Sequence, residues 1–264
     1  MTKYDNMSYM TETVFEEISV LLELKRAAGE PRKRLLDFGC GIAGPMRSVA
    51  RVSDCDAFGV ELQADLAEAA NKLSTMCGMD GSRENLPKCE VKEGDLLKMG
   101  TDQFGGEKFD ALKSLLVILH IPQVERPPIF DKMVQLLKPG APIVIEDYVM
   151  LKPFSTEIKH KLATEVYAQE LPTLVSYRRQ LEDAHLVDIN FIDLTATWTK
   201  FVTTRRDAFI ANKDWFVGIQ NEKCYEDLLR FYNAVVACFE SGELGGFRIT
   251  ARRAGLVDAG RVDA

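Results

Sequence analysis

Histidine and tryptophan are scarce in this chain, at three and two copies among 264 residues, and its six cysteines include no C-x-x-C pair. No histidine stands at zinc spacing beside a cysteine, so no metal is expected, and the thiols read as reduced residues of a reducing compartment. No apolar run reaches membrane-spanning length, and the opening Met-Thr-Lys-Tyr-Asp-Asn has no apolar signal core. A membrane partner is therefore not expected, and the expected address is cytoplasmic. There is no long basic run and the net charge is −7, which argues against a nucleic-acid partner, because neutralising phosphates takes clustered Lys and Arg. What is present is 46% hydrophobic content, enough for one sizeable core, and a single domain over 1–264 is expected.

Periodicity gives alternating elements. A helical pattern covers 11–28, strands are expected at 34–39, 57–61, 89–93, 109–116 and 142–148, and helices near 44–52, 64–77 and 123–137 lie between them. Strand and helix in alternation imply a parallel sheet with helices on both faces, an α/β fold. Pro127 and Pro128 are expected to open a helix, where lost amide donors matter least. The rhythm then changes: helices near 155–169 and 173–184, a strand at 187–194, long helical stretches at 197–217 and 222–241, and a last strand near 246–252. The core thus covers about 30–150, and the helices of about 151–245 are expected to cover the substrate side as a lid.

The strand from Arg34 runs into Asp37-Phe38-Gly39-Cys40-Gly41-Ile42-Ala43-Gly44. Gly39, Gly41 and Gly44 satisfy G-x-G-x-x-G, which permits a tight turn and close backbone approach to a nucleotide-like ligand. An NAD-binding oxidoreductase would use the same glycines, with Glu61, about twenty positions on, for the ribose. Two further features separate the readings. Asp37, ahead of the first glycine, can meet the cationic amino-acid end of S-adenosylmethionine (SAM), and Asp95, after a third strand, is placed for an adenine amino group. No Tyr-x-x-x-Lys pair lies in a suitable helix for hydride chemistry.

On these residues, together with Leu137-Lys138-Pro139-Gly140, the chain resembles the class I SAM-dependent methyltransferases from about Arg34 to Val149. The resemblance implies a seven-stranded Rossmann-like sheet with a helical lid, and SAM as cofactor. It also implies cofactor contacts from Asp37, Gly39, Cys40, Gly41, Gly44, Glu61, Leu62, Gly94, Asp95, Leu96 and Ser114. The segment from Phe109 to His120 is similar to the sarcosine/dimethylglycine and phosphoethanolamine N-methyltransferases, which implies an active-site role for His120, a proton acceptor or relay for an amine. Tyr9 is the companion candidate at the entrance. Tyr148, Tyr177, Arg178 and Lys200 are expected at the substrate, with Arg179, Arg205 and Arg248 as further cations for a carboxylate.

One departure points to the acceptor. Those families carry an Asp four residues before the histidine, where this chain has Leu116, so a cationic amine would lose its counter-ion. The expected acceptor is a small polar metabolite methylated on N or S: a thioether hydroxy acid of osmolyte synthesis, or an amine of the sarcosine/dimethylglycine type. Phosphoethanolamine is the alternative, and a SAM-binding protein without catalysis is an alternative of another class. A monomer or a homodimer is compatible with the hydrophobic stripes on the late helices.

Overall fold

The computed structural model describes residues 12–168 and 170–255. Its elements are α1 (Glu12–Leu21), β1 (Arg34–Phe38), α2 (Gly44–Ser53), β2 (Asp56–Glu61), α3 (Ala64–Met76), β3 (Cys89–Glu93), β4 (Ala111–Leu115), α4 (Arg126–Leu136) and β5 (Pro142–Met150). They continue with α5 (Thr156–Lys161), α6 (Leu174–Asp183), β6 (Leu186–Asp193), α7 (Thr195–Ala211), α8 (Lys213–Ile219), α9 (Glu222–Glu240) and β7 (Leu244–Arg253). The strands form one seven-stranded sheet in the order β3-β2-β1-β4-β5-β7-β6. The first five are parallel and β7 lies antiparallel between β5 and β6.

Burial explains why the parallel strands are legible as apolar runs. β5 is buried at all but its last residue, as befits a central strand covered on both faces. Its alternate residues serve different cores: Ile143, Ile145 and Val149 join the cluster under α4 and α6, while Val144 joins the one under α1, α2 and α3. A third cluster sits beyond the strand ends, where Tyr148 and Leu119 meet Leu162, Val166, Trp198, Val202, Val235 and Phe239 from the late helices. The rings of Tyr148, Trp198 and Phe239 pack edge to face, with centroids 5.4 to 6.4 Å apart. The helical lid therefore has its own core, anchored to the sheet through β5.

Three helices differ from their expected extents, each for a local reason. α1 stops at Leu21 because Glu23 turns left-handed (φ 52°), with Leu24 N–H donating to the Ser19 carbonyl and Glu23 N–H to that of Val20. This paired capping arrangement usually uses glycine. The stretch near 155–169 divides into α5 and a wider π-helical turn at Leu162–Val166, closed by left-handed Tyr167. The long stretch near 197–217 breaks at Asn212, whose side chain donates to the Ala208 carbonyl. Pro127 and Pro128 do lie in the first turn of α4.

Candidate active site

Strand order reverses between β1 and β4, and in open parallel sheets the crevice beyond the strand ends at that point is where ligands bind. The glycine loop closes it. Gly39 and Cys40 both donate backbone N–H groups to the Val60 carbonyl, at 2.9 and 3.2 Å, which curls the loop over the end of β2. Glu61 sits behind the loop, 8% exposed, with Oε2 accepting from Gly41 N–H at 2.9 Å and Oε1 from Gln63 N–H at 3.0 Å. The loop walls a cavity of about 160 Å³ with Asp37, Lys113, Leu115 and Leu116. Burial raises the Asp37 carboxyl above its usual range against the opposing pull of the Lys113 ammonium, and burial beside Asp37 and Glu61 raises the Cys40 thiol well above its own.

Leu116 is the shared wall with a second cavity of about 180 Å³, lined also by Leu119, His120, Tyr148, Val166, Val202, Arg205, Phe231, Tyr232 and Val235. Its backbone is left-handed (φ 59°), uncommon for a branched side chain, while its N–H still extends the ladder to the Glu146 carbonyl. The turn that follows, Ile118–His120, is held from below: buried Asp147 accepts from the N–H groups of Leu119 and Tyr148 and from the Tyr177 hydroxyl at 2.9 Å. Burial pushes the Asp147 carboxyl up to about 7. His120 is exposed at the cavity edge, and its Nδ1 lies 3.0 Å from the Tyr167 carbonyl. A carbonyl only accepts, so Nδ1 carries the hydrogen and Nε2 of the neutral ring is left as a base.

Of the expected cofactor residues, Asp37, Gly39, Cys40, Gly41 and Gly44 line the first cavity. The others hold the framework around it. Ser114 donates to the Phe38 carbonyl and ties β4 to β1, Gly94 N–H donates to the Glu61 carbonyl, and Asp95 caps a short turn through Leu97 N–H. Leu96 is in the core, and Leu62 is exposed past the end of β2.

Of the substrate residues, Leu116 and Tyr148 line the second cavity, and Tyr177, Arg178 and Lys200 do not. Tyr177 belongs to α6, on the opposite face of the sheet, because Asp147 and Tyr148 point to opposite sides of β5. Arg178 donates to the Ile189 carbonyl over the Phe191 ring, and Lys200 is exposed on α7. Arg248 is engaged by Glu146 and Glu17. Tyr9 lies outside the described residues. Sequence reasoning missed Lys113, although a lysine inside the apolar run from Ala111 to Leu119 was a visible signal; it named Arg205 only among further cations and missed Phe231 and Tyr232, and α7 and α9 bring these three in from far along the chain.

Residues 35–140 match the methyltransferase domain family. Over that stretch the chain is similar to methyltransferase domains. Its curated relatives include phosphoethanolamine N-methyltransferase 3 of Arabidopsis thaliana, 26% identical over 228 residues, covering 86% of this chain and 43% of that protein. The chain thus spans less than half the length of that relative. Among solved structures, phosphoethanolamine N-methyltransferase 2 of Haemonchus contortus, in complex with phosphomonomethylethanolamine and S-adenosylhomocysteine (SAH), superposes with TM-score 0.74 at 18% identity, covering 91% of this chain and 52% of that one. A putative sarcosine dimethylglycine methyltransferase from Galdieria sulphuraria superposes with TM-score 0.74 at 15% identity, covering 92% and 83%. The residues around the glycine loop fit S-adenosylmethionine, the cofactor expected from the sequence. The loop leaves open space at Gly41, Glu61 stands behind it, and Asp37 borders the cavity that it covers. Among the described residues no His, Cys, Asp and Glu group is suited to a metal, and no helix is long and apolar enough to cross a membrane.

Proposed function

We propose that the chain transfers the SAM methyl group to the sulfur of a small thioether or thiol that carries a carboxylate. The observation that carries this reading is the second cavity. It adjoins the glycine-loop cavity at Leu116, no carboxylate lines it among the described residues, and Arg205 stands in its wall. A cationic amine would find no counter-ion there, whereas a neutral sulfur needs none. Arg205, with its guanidinium 5.5 Å from the centre of the Tyr232 ring, supplies a fork for the acceptor's carboxylate.

Bound SAM supplies an electrophilic methyl on a sulfonium centre, and Asp37, Gly39, Gly41 and Glu61 are the residues that would hold it. The chain's own contribution is positioning in a dry pocket. Leu116, Leu119, Val166, Val202 and Val235 exclude water from the acceptor side. Methylating a thioether leaves positive charge on the acceptor sulfur, and the ring faces of Tyr148, Phe231 and Tyr232 are favourable neighbours for that charge. A thiol acceptor must also lose a proton, and the His120 Nε2 is the base within this wall.

Phosphoethanolamine is a second reading, favoured by the names of the relatives, and Arg205 would serve a phosphate as well as a carboxylate. Leu116 speaks for the first. The test is label transfer from methyl-labelled SAM to thioether acids, thiol acids, sarcosine and phosphoethanolamine, each offered separately. Label in a sulfur acid supports the proposal, and label in phosphoethanolamine or sarcosine alone overturns it.

A further inference from the structure

The glycine-loop cavity contains a charge that the methyltransferase reading has not used. Lys113, midway along β4, and Asp37, next to the end of β1, stand side by side in register on neighbouring strands. The Lys113 Nζ donates to Asp37 Oδ2 at 2.5 Å, with the two side chains 1% and 2% exposed. Both border the cavity under the loop. Taking an ammonium out of water is unfavourable unless it is well paired. Here the pairing is incomplete: an ammonium has three N–H groups, and among the described residues Asp37 is its one hydrogen-bond acceptor. On the other side of the pair, Oδ1 of Asp37 accepts no hydrogen bond among the described residues.

A wall that sets a spare acceptor oxygen on one side chain beside the spare N–H groups of an ammonium paired to it is complementary to a zwitterion. We infer that Lys113 is a cofactor-binding residue that takes the carboxylate of the cofactor's amino-acid end, while Asp37 takes its ammonium. The inference rests on the SAM reading of this cavity and deepens it. Asp37 and Glu61 alone would make the site doubly negative and would repel that carboxylate. Lys113 reverses the sign where the carboxylate must lie, so the site selects the intact amino acid over forms of the cofactor that lack the carboxylate.

Calorimetry on the full chain with three ligands tests this: SAH, its carboxylate-free analogue S-adenosylthiopropylamine, and methylthioadenosine, which lacks the amino-acid end. The wild type is expected to bind SAH at least about tenfold more tightly than the carboxylate-free analogue. In Lys113→Met that preference disappears, with affinity for methylthioadenosine unchanged, and the unchanged affinity shows that the adenosine side is still folded. The double variant Lys113→Met with Asp37→Asn removes the unpaired buried acid, and it too should show no preference for the carboxylate. Retention of the preference in Lys113→Met, or an equal loss of affinity for all three ligands, would overturn the assignment of Lys113 while leaving the SAM reading in place. A wild type that binds methylthioadenosine but not SAH overturns the Lys113 assignment, and one that binds none of the three overturns the cofactor reading as well.

Discussion

Two glycines of the same loop should fail in opposite ways when each gains one methyl group. Gly39 has φ 70°, and a Cβ built there would lie 2.4 and 2.5 Å from the two γ-methyl groups of Val117. Gly41 has φ 54° and nothing within 4 Å of the same built atom. The left-handed backbone costs an alanine about 1–2 kcal/mol at either position. At Gly39 the clash adds about 1–3 kcal/mol of overpacking, because valine is stiff about χ1 and both of its methyl groups are in the way. Gly39→Ala should therefore be less stable than Gly41→Ala by about 1–3 kcal/mol, out of a typical total of about 5–15 kcal/mol. The Gly41 methyl instead projects toward the space expected for the cofactor, so Gly41→Ala should weaken SAH by at least about tenfold, or about 1.4 kcal/mol. Urea denaturation without ligand gives the first difference and calorimetry the second. Equal stabilities for the two variants, or wild-type SAH affinity in Gly41→Ala, would refute the placement of the loop.

Arg205→Met should raise the KM for a carboxylate-bearing acceptor by at least about tenfold with SAH affinity unchanged, since truncating a charged partner of a bound anion costs more than about 1.5 kcal/mol; steady-state kinetics on the labelled product checks this. Leu116→Asp, at a left-handed position that an aspartate tolerates, should lower methylation of a neutral sulfur and raise it for an amine, read from competition between the two acceptors. Asp147 links stability to pH. Its carboxyl is held near 7 in the folded chain and near 4 when unfolded, so between those values the folded state retains a proton that the unfolded state has released. Stability should fall as pH rises through that window, and Asp147→Asn should flatten the profile. Parallel denaturation profiles for the two proteins from pH 4 to 7 would contradict it.

The parallel half of the sheet was readable because its strands are buried on both faces and end in turns rich in glycine, so local pattern and tertiary role agree. Helix ends were less readable. Glu23 and Tyr167 adopt left-handed conformations that nothing in their side chains announces, and the π turn before Tyr167 has the composition of an ordinary helix. The cofactor side of the site is nearly contiguous in sequence, from Asp37 to Gly44, and most of it lines one cavity. The acceptor side is assembled from the turn after β4, β5, the π-helical turn, α7 and α9, so single residues could be ranked only by type. Tyr148, at a strand end, was the stronger candidate in the sequence and Tyr177 the weaker. They separate because one stands on β5 facing the lid, while the other reaches Asp147 from the opposite face of the same strand. Lys113 stood out as a charge inside an apolar strand, but what it pairs with became readable only when its in-register neighbour proved to be Asp37.

Calorimetric titration of the full chain with SAH, with NAD as the competing ligand, tests the central claim most directly. One-to-one binding of SAH in the micromolar range is expected, with no heat from NAD. Binding of NAD without SAH would contradict it, because the same glycine loop would then be serving a pyrophosphate rather than the amino-acid end of a methyl donor.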